Sequence, residues 1–189
     1  MRAADLLDAL HTATAGFRDR LVAIPADNLA SPSVCDGWSI RDIADHIVGG
    51  NRFAVGLLDG MSADEAFSAA FIGGFDDSVS DLFDQSAAAQ HAAFAQPGAI
   101  GRLVDHPAGV ILGDEFLQLR IGDLVLHAWD LARSTDGDDS LDPTLTPMLA
   151  EVWQRRTTAP AEVTSEAELS THDQDDPGVR LLVLSGRTP

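Results

Sequence analysis

The residues best suited to chemistry in this sequence are an aspartate and a histidine four positions apart, Asp123 and His127. Side chains four apart on a helix lie on the same face, one turn above the other. A carboxylate oxygen and an imidazole nitrogen placed in this way can share a divalent metal. The same spacing also suits an ion pair or a solvated face, so a metal site needs a further ligand to support it.

A further ligand is present in a second segment with a helical pattern. His46 lies next to Ile47 in the apolar stripe of the segment 39–51. If the two segments are packed helices, His46, Asp123 and His127 form a three-ligand site, and three protein ligands with an open position are typical of a catalytic metal. The alternative is a core histidine with other hydrogen-bond partners. Both segments are apolar enough to be buried, and buried polar side chains need partners.

Two more polar residues follow on the Asp123 helix. Asp123, His127 and Asp130 form a row at positions i, i+4 and i+7 beside the apolar face. We expect Asp130 to orient a ligand or accept a proton, and Arg133 to pair with an acidic group of a substrate. The alternative is an ion pair between Asp130 and Arg133 on the helix surface.

Composition narrows the class of protein. The 189 residues fit a single domain spanning 1–189, with a core over about 3–135 and a C-terminal extension over about 143–189. A formal net charge of −18, with only 12 Lys and Arg, argues against a nucleic-acid partner. No apolar run is long enough to cross a bilayer, and acids interrupt the N-terminal segment where a signal peptide is apolar. We therefore expect a cytoplasmic protein without a membrane partner.

Cys35 is the single cysteine of the sequence. One cysteine excludes an internal disulfide and a multi-cysteine zinc site. Two interpretations remain: a small apolar residue just before a helix, or a reactive thiol near the predicted site. The acidic segments 136–139 and 162–176 are expected to be solvated.

The apolar period predicts four main helices. The first covers 3–22, and the second begins after Ser39, with Asp42 in the position of a capping box. The third starts at Val79 and ends before Pro97, and the fourth covers 114–134. The segment 60–74 is interpreted as a Gly-rich connection, and 100–113 as either a hairpin or a packed loop.

Two shorter helices are predicted after these four. The first covers 147–155 with Thr146 as its cap, and the second covers 179–184 and ends at Ser185-Gly186. A polar stretch separates them. The prediction is an all-α four-helix bundle with a short extended segment between helices three and four and extra C-terminal helices.

Two separated motifs resemble those of a known family. The segments CDGWSIRDIADHIVGGN (35–51) and DLVLHAWDLAR (123–133) are similar to the second-helix and fourth-helix motifs of the mycothiol-dependent maleylpyruvate isomerase N-terminal domain, in the DinB-like superfamily. The ending RLLVLSGR (180–187) is similar to the tail of short actinobacterial members. The resemblance implies a DinB-like four-helix bundle with a divalent metal, usually zinc.

The resemblance also implies which residues bind the metal. The family's ligands, a histidine of helix two and an acid-x-x-x-His pair of helix four, match His46, Asp123 and His127. The isomerase has glutamate where this chain has Asp123, which is one methylene shorter. The isomerase also has a second, C-terminal domain, which we do not expect in this chain.

The predicted function is a metal-dependent enzyme that uses a low-molecular-weight thiol, mycothiol, for S-transfer or thiol-assisted isomerisation. Its metal would be Zn²⁺ or Ni²⁺. Its partners would be a small-molecule thiol and an electrophilic substrate, and its oligomeric state would be a monomer or a homodimer. Two alternatives stay open. One is a metal-dependent hydrolase with Asp42 or Asp130 as general base; the other is a non-catalytic metal-containing module for binding or dimerisation.

Overall fold

The computed structural model describes residues 2–70, 78–157 and 175–189. The chain divides into two compact units, Met1–Asp139 and Ser140–Pro189. The elements of the first unit, in chain order, are α1 (Ala3–Val22), a 3-10 turn (Ala26–Asn28), α2 (Ile40–Leu58), α3 (Ala63–Ala70), α4 (Val79–Phe94), β1 (Leu103–His106), β2 (Gly109–Leu112) and α5 (Gly113–Ser134). The second unit contains α6 (Thr146–Thr157) and α7 (Pro177–Leu184).

The first unit is a four-helix bundle of α1, α2, α4 and α5, which confirms the predicted all-α fold. Helix α1 packs against α5 and α4, and α2 packs against α4 and α5. The predicted apolar stripes form the shared core, each large side chain contributing about 1.5–3 kcal/mol on burial. Its fully buried members include Leu6, Leu10, Phe17, Ile43, Ile47, Phe83, Phe94, Leu117, Ile121 and Leu124.

Helix α2, which carries His46, begins with the predicted capping box. The Ser39 Oγ accepts a hydrogen bond from the backbone N–H of Asp42 at 3.2 Å, and the Asp42 carboxylate accepts one from the Ser39 N–H at 2.7 Å. Hydrogen bonds from the Ser39 side chain and backbone lower the pKa of the Asp42 carboxyl below its ordinary value. Two backbone donors at the start of α2 are satisfied in this way.

We expect Ser39→Ala to reduce the free energy of unfolding by about 1 kcal/mol, because α2 loses its side-chain cap. Ser78 is the matched control, since it precedes α4 without a side-chain cap hydrogen bond. Ser78→Ala should change stability by less than about 0.5 kcal/mol. Urea unfolding of both variants measures the difference, and equal losses would contradict a specific role for the Ser39 cap.

The prediction that 60–74 is a connection is wrong for its middle part, which forms α3 (Ala63–Ala70). The Ser62 backbone N–H and hydroxyl both donate to the Glu65 carboxylate, at 3.0 and 2.7 Å, and so fix the start of the helix. Ala66 and Ala70, four apart, are buried. Ser62 and Glu65 form a Ser-x-x-Glu pattern, which in the sequence already indicates the start of a helix. Residues 71–77, which include the end of the predicted connection, lie outside the described part of the chain.

The segment between the third and fourth bundle helices is a hairpin rather than a packed loop. Strands β1 and β2 pair antiparallel, with Leu103 opposite Leu112 and His106 opposite Gly109. Gly109 has a φ of 112°, which L side chains rarely adopt, so glycine suits this turn. The hairpin leads directly into α5, whose first residue is Gly113.

Both short helices predicted for the C-terminal part are present. Helix α6 begins at Thr146 itself, and α7 begins two residues earlier than predicted, because the Asp176 carboxylate accepts the N–H groups of Gly178 and Val179 at 2.7 and 3.2 Å. Residues 158–174, which hold most of the predicted acidic segment, lie outside the described chain. The prediction of one domain over 1–189 stays a prediction. Among the described residues, no helix combines the length and apolarity that crossing a membrane requires.

Candidate metal centre

Helices α2 and α5 bring the three predicted metal ligands together. The His46 Nε2 lies 3.4 Å from both carboxylate oxygens of Asp123, and the His127 Nε2 lies 3.5 Å from Asp123 Oδ1. One nitrogen or oxygen atom of each residue lies within 4.8 Å of the other two. Because Asp123 and His127 are one turn apart on α5, the packing of α2 against α5 is what adds His46.

These distances and donor types fit a divalent cation. Ligands about 2.1 Å from a tetrahedral ion lie about 3.4 Å from one another, close to the separations found here. Two imidazole nitrogens and one carboxylate oxygen form a donor set typical of zinc and related transition metals. The His46 side chain is 38% exposed and that of His127 is 13% exposed, so the group opens toward solvent on the His46 side. Three donors leave room for a further ligand.

An indole ring lies against both histidines. The ring centroid of Trp38 is 5.2 Å from that of His46 and 6.0 Å from that of His127, and it stacks on the latter at an interplanar angle of 15°. The loop before α2 is closed by a hydrogen bond in which the Ser33 backbone N–H donates to the Trp38 carbonyl at 2.8 Å. Trp38 packs against both imidazoles and was not predicted as a site residue.

Asp130 lies on the opposite side of the His127 ring from Asp123. Its Oδ2 lies 2.8 Å from His127 Nδ1, without the geometry of a hydrogen bond, and Asp130 is buried. A carboxylate at Nδ1 favours the proton on that nitrogen and leaves Nε2 as the metal-binding atom. The role of Asp130 in orienting a ligand stays a prediction.

Cys35 approaches the same carboxylate. Its Sγ donates to Asp130 Oδ2 at 3.4 Å. Cys35, His127 and Asp130 form a second group of possible metal ligands that shares His127 with the first. Of the two interpretations of Cys35, its position next to Asp130 agrees with a thiol near the predicted site.

The other predicted residues have partners of their own. Arg133 is half-exposed; its Nη1 lies 3.1 Å from Asp139 Oδ2, and its guanidinium carbon is 5.3 Å from the Trp129 ring centroid. The ion-pair partner of Arg133 is thus Asp139. Asp42, a candidate base for hydrolysis, accepts hydrogen bonds from Ser39 at the start of α2.

Arg120, which contacts Asp123 from the core side, was not predicted as a site residue. Its Nη1 donates to Asp123 Oδ2 at 2.5 Å, its Nε donates to Gln90 Oε1 at 2.9 Å, and its Nη2 donates to Asn51 Oδ1 at 3.0 Å. The Asn51 amide in turn donates to Ser86 Oγ at 3.0 Å. The sequence could have indicated Arg120 as a partner of Asp123, since it lies three residues earlier and interrupts the apolar face of α5.

Arg120 also determines the charge state of Asp123. Burial by itself raises the pKa of this carboxyl, but the positive charge of Arg120, the hydrogen bond from His46 and the charge of His127 outweigh it. The pKa of Asp123 is therefore held well below its ordinary value. The carboxylate is ionised at neutral pH, as a metal ligand must be.

Comparison with known proteins identifies relatives of this chain. The sequence model of the mycothiol maleylpyruvate isomerase N-terminal domain family matches residues 10–132. An uncharacterized protein of Mycobacterium tuberculosis, found in the strains CDC 1551 and H37Rv, is 33% identical over 145 residues, which cover 75% of this chain and 73% of the relative. The range 10–132 contains the first predicted motif and all of the second except Arg133.

Solved structures share the fold. The crystal structure of the mycothiol-dependent maleylpyruvate isomerase superposes with a TM-score of 0.64 at 18% identity, covering 79% of this chain and 68% of the other. A mutant of that isomerase gives a TM-score of 0.63 at 20% identity, with coverages of 86% and 74%. These likenesses confirm the predicted DinB-like four-helix bundle.

Proposed function

The chain belongs to the mycothiol maleylpyruvate isomerase N-terminal domain family, and we propose that it is a divalent-metal-dependent enzyme using a low-molecular-weight thiol, mycothiol, for S-transfer or thiol-assisted isomerisation. One observation carries the proposal. His46 of α2 and the Asp123–His127 pair of α5 converge with separations of 3.4 and 3.5 Å, in a group that opens to solvent. Zn²⁺ is the metal that the donor set fits best, and Ni²⁺ is the alternative.

A divalent cation held by His46, Asp123 and His127 would favour the thiolate form of a thiol, and the thiolate is the nucleophilic form. The chain's own residues prepare the site. In this proposal the Asp130 carboxylate beside Nδ1 favours a proton on that nitrogen, and Trp38 packs against both imidazole rings. Each ligand is thus oriented before the thiol arrives, which reduces the cost of ordering it.

Arg133 completes the proposed substrate side. Its half-exposed guanidinium, paired with Asp139, offers a cation to an acidic group of the thiol or the substrate. The remaining parts of the proposal are a small-molecule electrophile as second substrate, a cytoplasmic location, and a monomer or homodimer.

A thiol titration tests the proposed chemistry before the electrophile is known. We expect mycothiol added to Co²⁺-loaded protein to produce a sulfur-to-cobalt charge-transfer absorption, because the thiolate enters the metal's coordination. S-methylated mycothiol is the matched control and should give no such band, since it cannot form a thiolate. His46→Ala should lose the band, whereas Cys35→Ser should keep it.

Two results would overturn the proposal. Metal-dependent hydrolysis of esters or amides without any thiol would identify a hydrolase instead. A metal-loaded protein that gives no charge-transfer band and converts no compound in a broad electrophile panel would favour the non-catalytic binding module. Turnover that requires thiol and metal, and that persists in Cys35→Ser, supports the thiol-dependent enzyme.

A further inference from the structure

A buried polar network extends from the candidate metal centre into the helical core. Arg120, Asn51 and Gln90 have relative exposures of 6%, 0% and 0%. Two Arg120 hydrogen bonds join α5 to Gln90 of α4 and Asn51 of α2, and the third reaches Asp123 on α5 itself. A buried guanidinium loses its hydration, so each of these contacts replaces water. Gln90 and Asn51 hold the guanidinium plane in one orientation, and that orientation directs an N–H group at Asp123 Oδ2.

Helix α2 leaves space for this guanidinium at one residue. A Cβ atom added at Gly50 would lie 2.5 Å from Arg120 Nη1 and 2.8 Å from its Cζ and Nη2. These separations are far below van der Waals contact, so no larger residue fits unless the guanidinium moves. Gly50 lies inside α2, where glycine lowers helix stability relative to alanine. The close approach of Arg120 explains why the helix has glycine at this position.

From this network we propose that Arg120 is a positioning residue for the metal ligand Asp123, an inference that rests on the proposed metal site. Arg120 occupies Oδ2 and turns Oδ1 toward His127 Nε2, 3.5 Å away. With Oδ2 held by Arg120, Oδ1 would be the oxygen available to a cation, and a carboxylate released from Arg120 would be free to offer both. Gln90, Asn51 and Gly50 act through Arg120 by keeping its guanidinium in place.

Positioning and charge have opposite effects on metal affinity, which makes the proposal testable. A guanidinium close to a divalent cation repels it, so removing that charge alone would tighten binding. Loss of an orienting partner of a metal ligand weakens binding, by about 10- to 100-fold in other sites. Weaker binding near neutral pH after the loss of Arg120 is thus opposite in sign to the direct effect of removing its charge, and with stability controlled it reports the loss of positioning.

Gly50→Ala is the sharpest variant, because it keeps every ligand and every charge and displaces only the guanidinium. We expect about 10- to 100-fold weaker Co²⁺ binding to metal-free protein and an altered visible Co²⁺ spectrum, reporting a change in coordination. Gly16→Ala in α1 is the matched control, since its added Cβ would lie 3.7 Å from the nearest atom, Arg20 Nη1. Its Co²⁺ affinity and spectrum should equal those of the wild type.

Arg120→Met provides the second test and should also bind Co²⁺ more weakly with an altered spectrum. Leu10→Ala, a core variant in α1, controls for the general loss of stability and should keep the wild-type spectrum. Tighter binding by Arg120→Met, or wild-type affinity and spectrum in folded Gly50→Ala, would overturn the positioning role. Failure of the wild type itself to bind Co²⁺ would instead reject the metal site and with it the proposed function.

Discussion

Replacing His127 by alanine is expected to reduce the Zn²⁺ that remains after dialysis to less than about a tenth of the wild-type amount. Loss of an outer partner of a ligand already costs about 10- to 100-fold in affinity, and His127 is a direct ligand in the proposed site. It is also the least exposed of the three, with Asp123 on one side and Asp130 on the other. Elemental analysis of the dialysed proteins measures the effect.

The control for this variant is His11→Ala, which removes an exposed imidazole from α1 and should leave the metal content unchanged. Since His127 belongs to two groups of possible ligands, two more variants decide between them. His46→Ala should lose the metal, and Cys35→Ser should keep it. The reverse result would place the metal at Cys35, His127 and Asp130, and equal content in all variants would remove His127 from the site.

The second large effect concerns stability without metal. Asp123→Asn should lower the free energy of unfolding by about 3 kcal/mol in the presence of a chelator, because it leaves the buried Arg120 without its anionic partner. Asparagine keeps the shape and a hydrogen-bonding oxygen, so the loss reports the missing charge. The chelator removes any contribution from metal binding to the folded state. Denaturant unfolding of both proteins near neutral pH measures it.

The pH of this measurement follows from the lowered pKa of Asp123. A carboxyl whose pKa is lower in the folded state stabilises the fold fully above its unfolded pKa of about 4, and the contribution is lost as pH falls through the folded value. The stability difference should therefore persist at neutral pH and shrink only in acid, below the unfolded pKa of about 4. A difference at pH 7 no larger than the one in acid would contradict this origin.

The exposed ion pair of Arg18 and Asp84 provides the matched control. Its atoms lie 2.7 Å apart, but the two side chains are 47% and 41% exposed, so water and salt screen the interaction. Asp84→Asn should cost less than about 1 kcal/mol. Equal losses in the Asp84 and Asp123 variants would show that burial of Arg120 adds nothing to the pair.

Local features of this protein could be predicted from the sequence because their causes are local. The period of apolar residues fixed the positions of α1, α2, α4 and α5, since a helix buries one face at every third or fourth residue. Ser39 and Asp42 marked the start of α2 for the same reason: a capping box joins residues three apart. Asp123 and His127 were found together because one helical turn separates them.

Contacts between helices were decided only by the tertiary structure. The resemblance to a family suggested that His46 joins Asp123, but the 3.4 Å separation depends on how α2 packs on α5. The partners of Arg120 come from α2 and α4, and no spacing in the sequence links them. Periodicity tells which face of a helix is buried, whereas packing determines the rotation and height at which two buried faces meet. A shift of one residue along either helix would preserve every pattern in the sequence and separate the ligands.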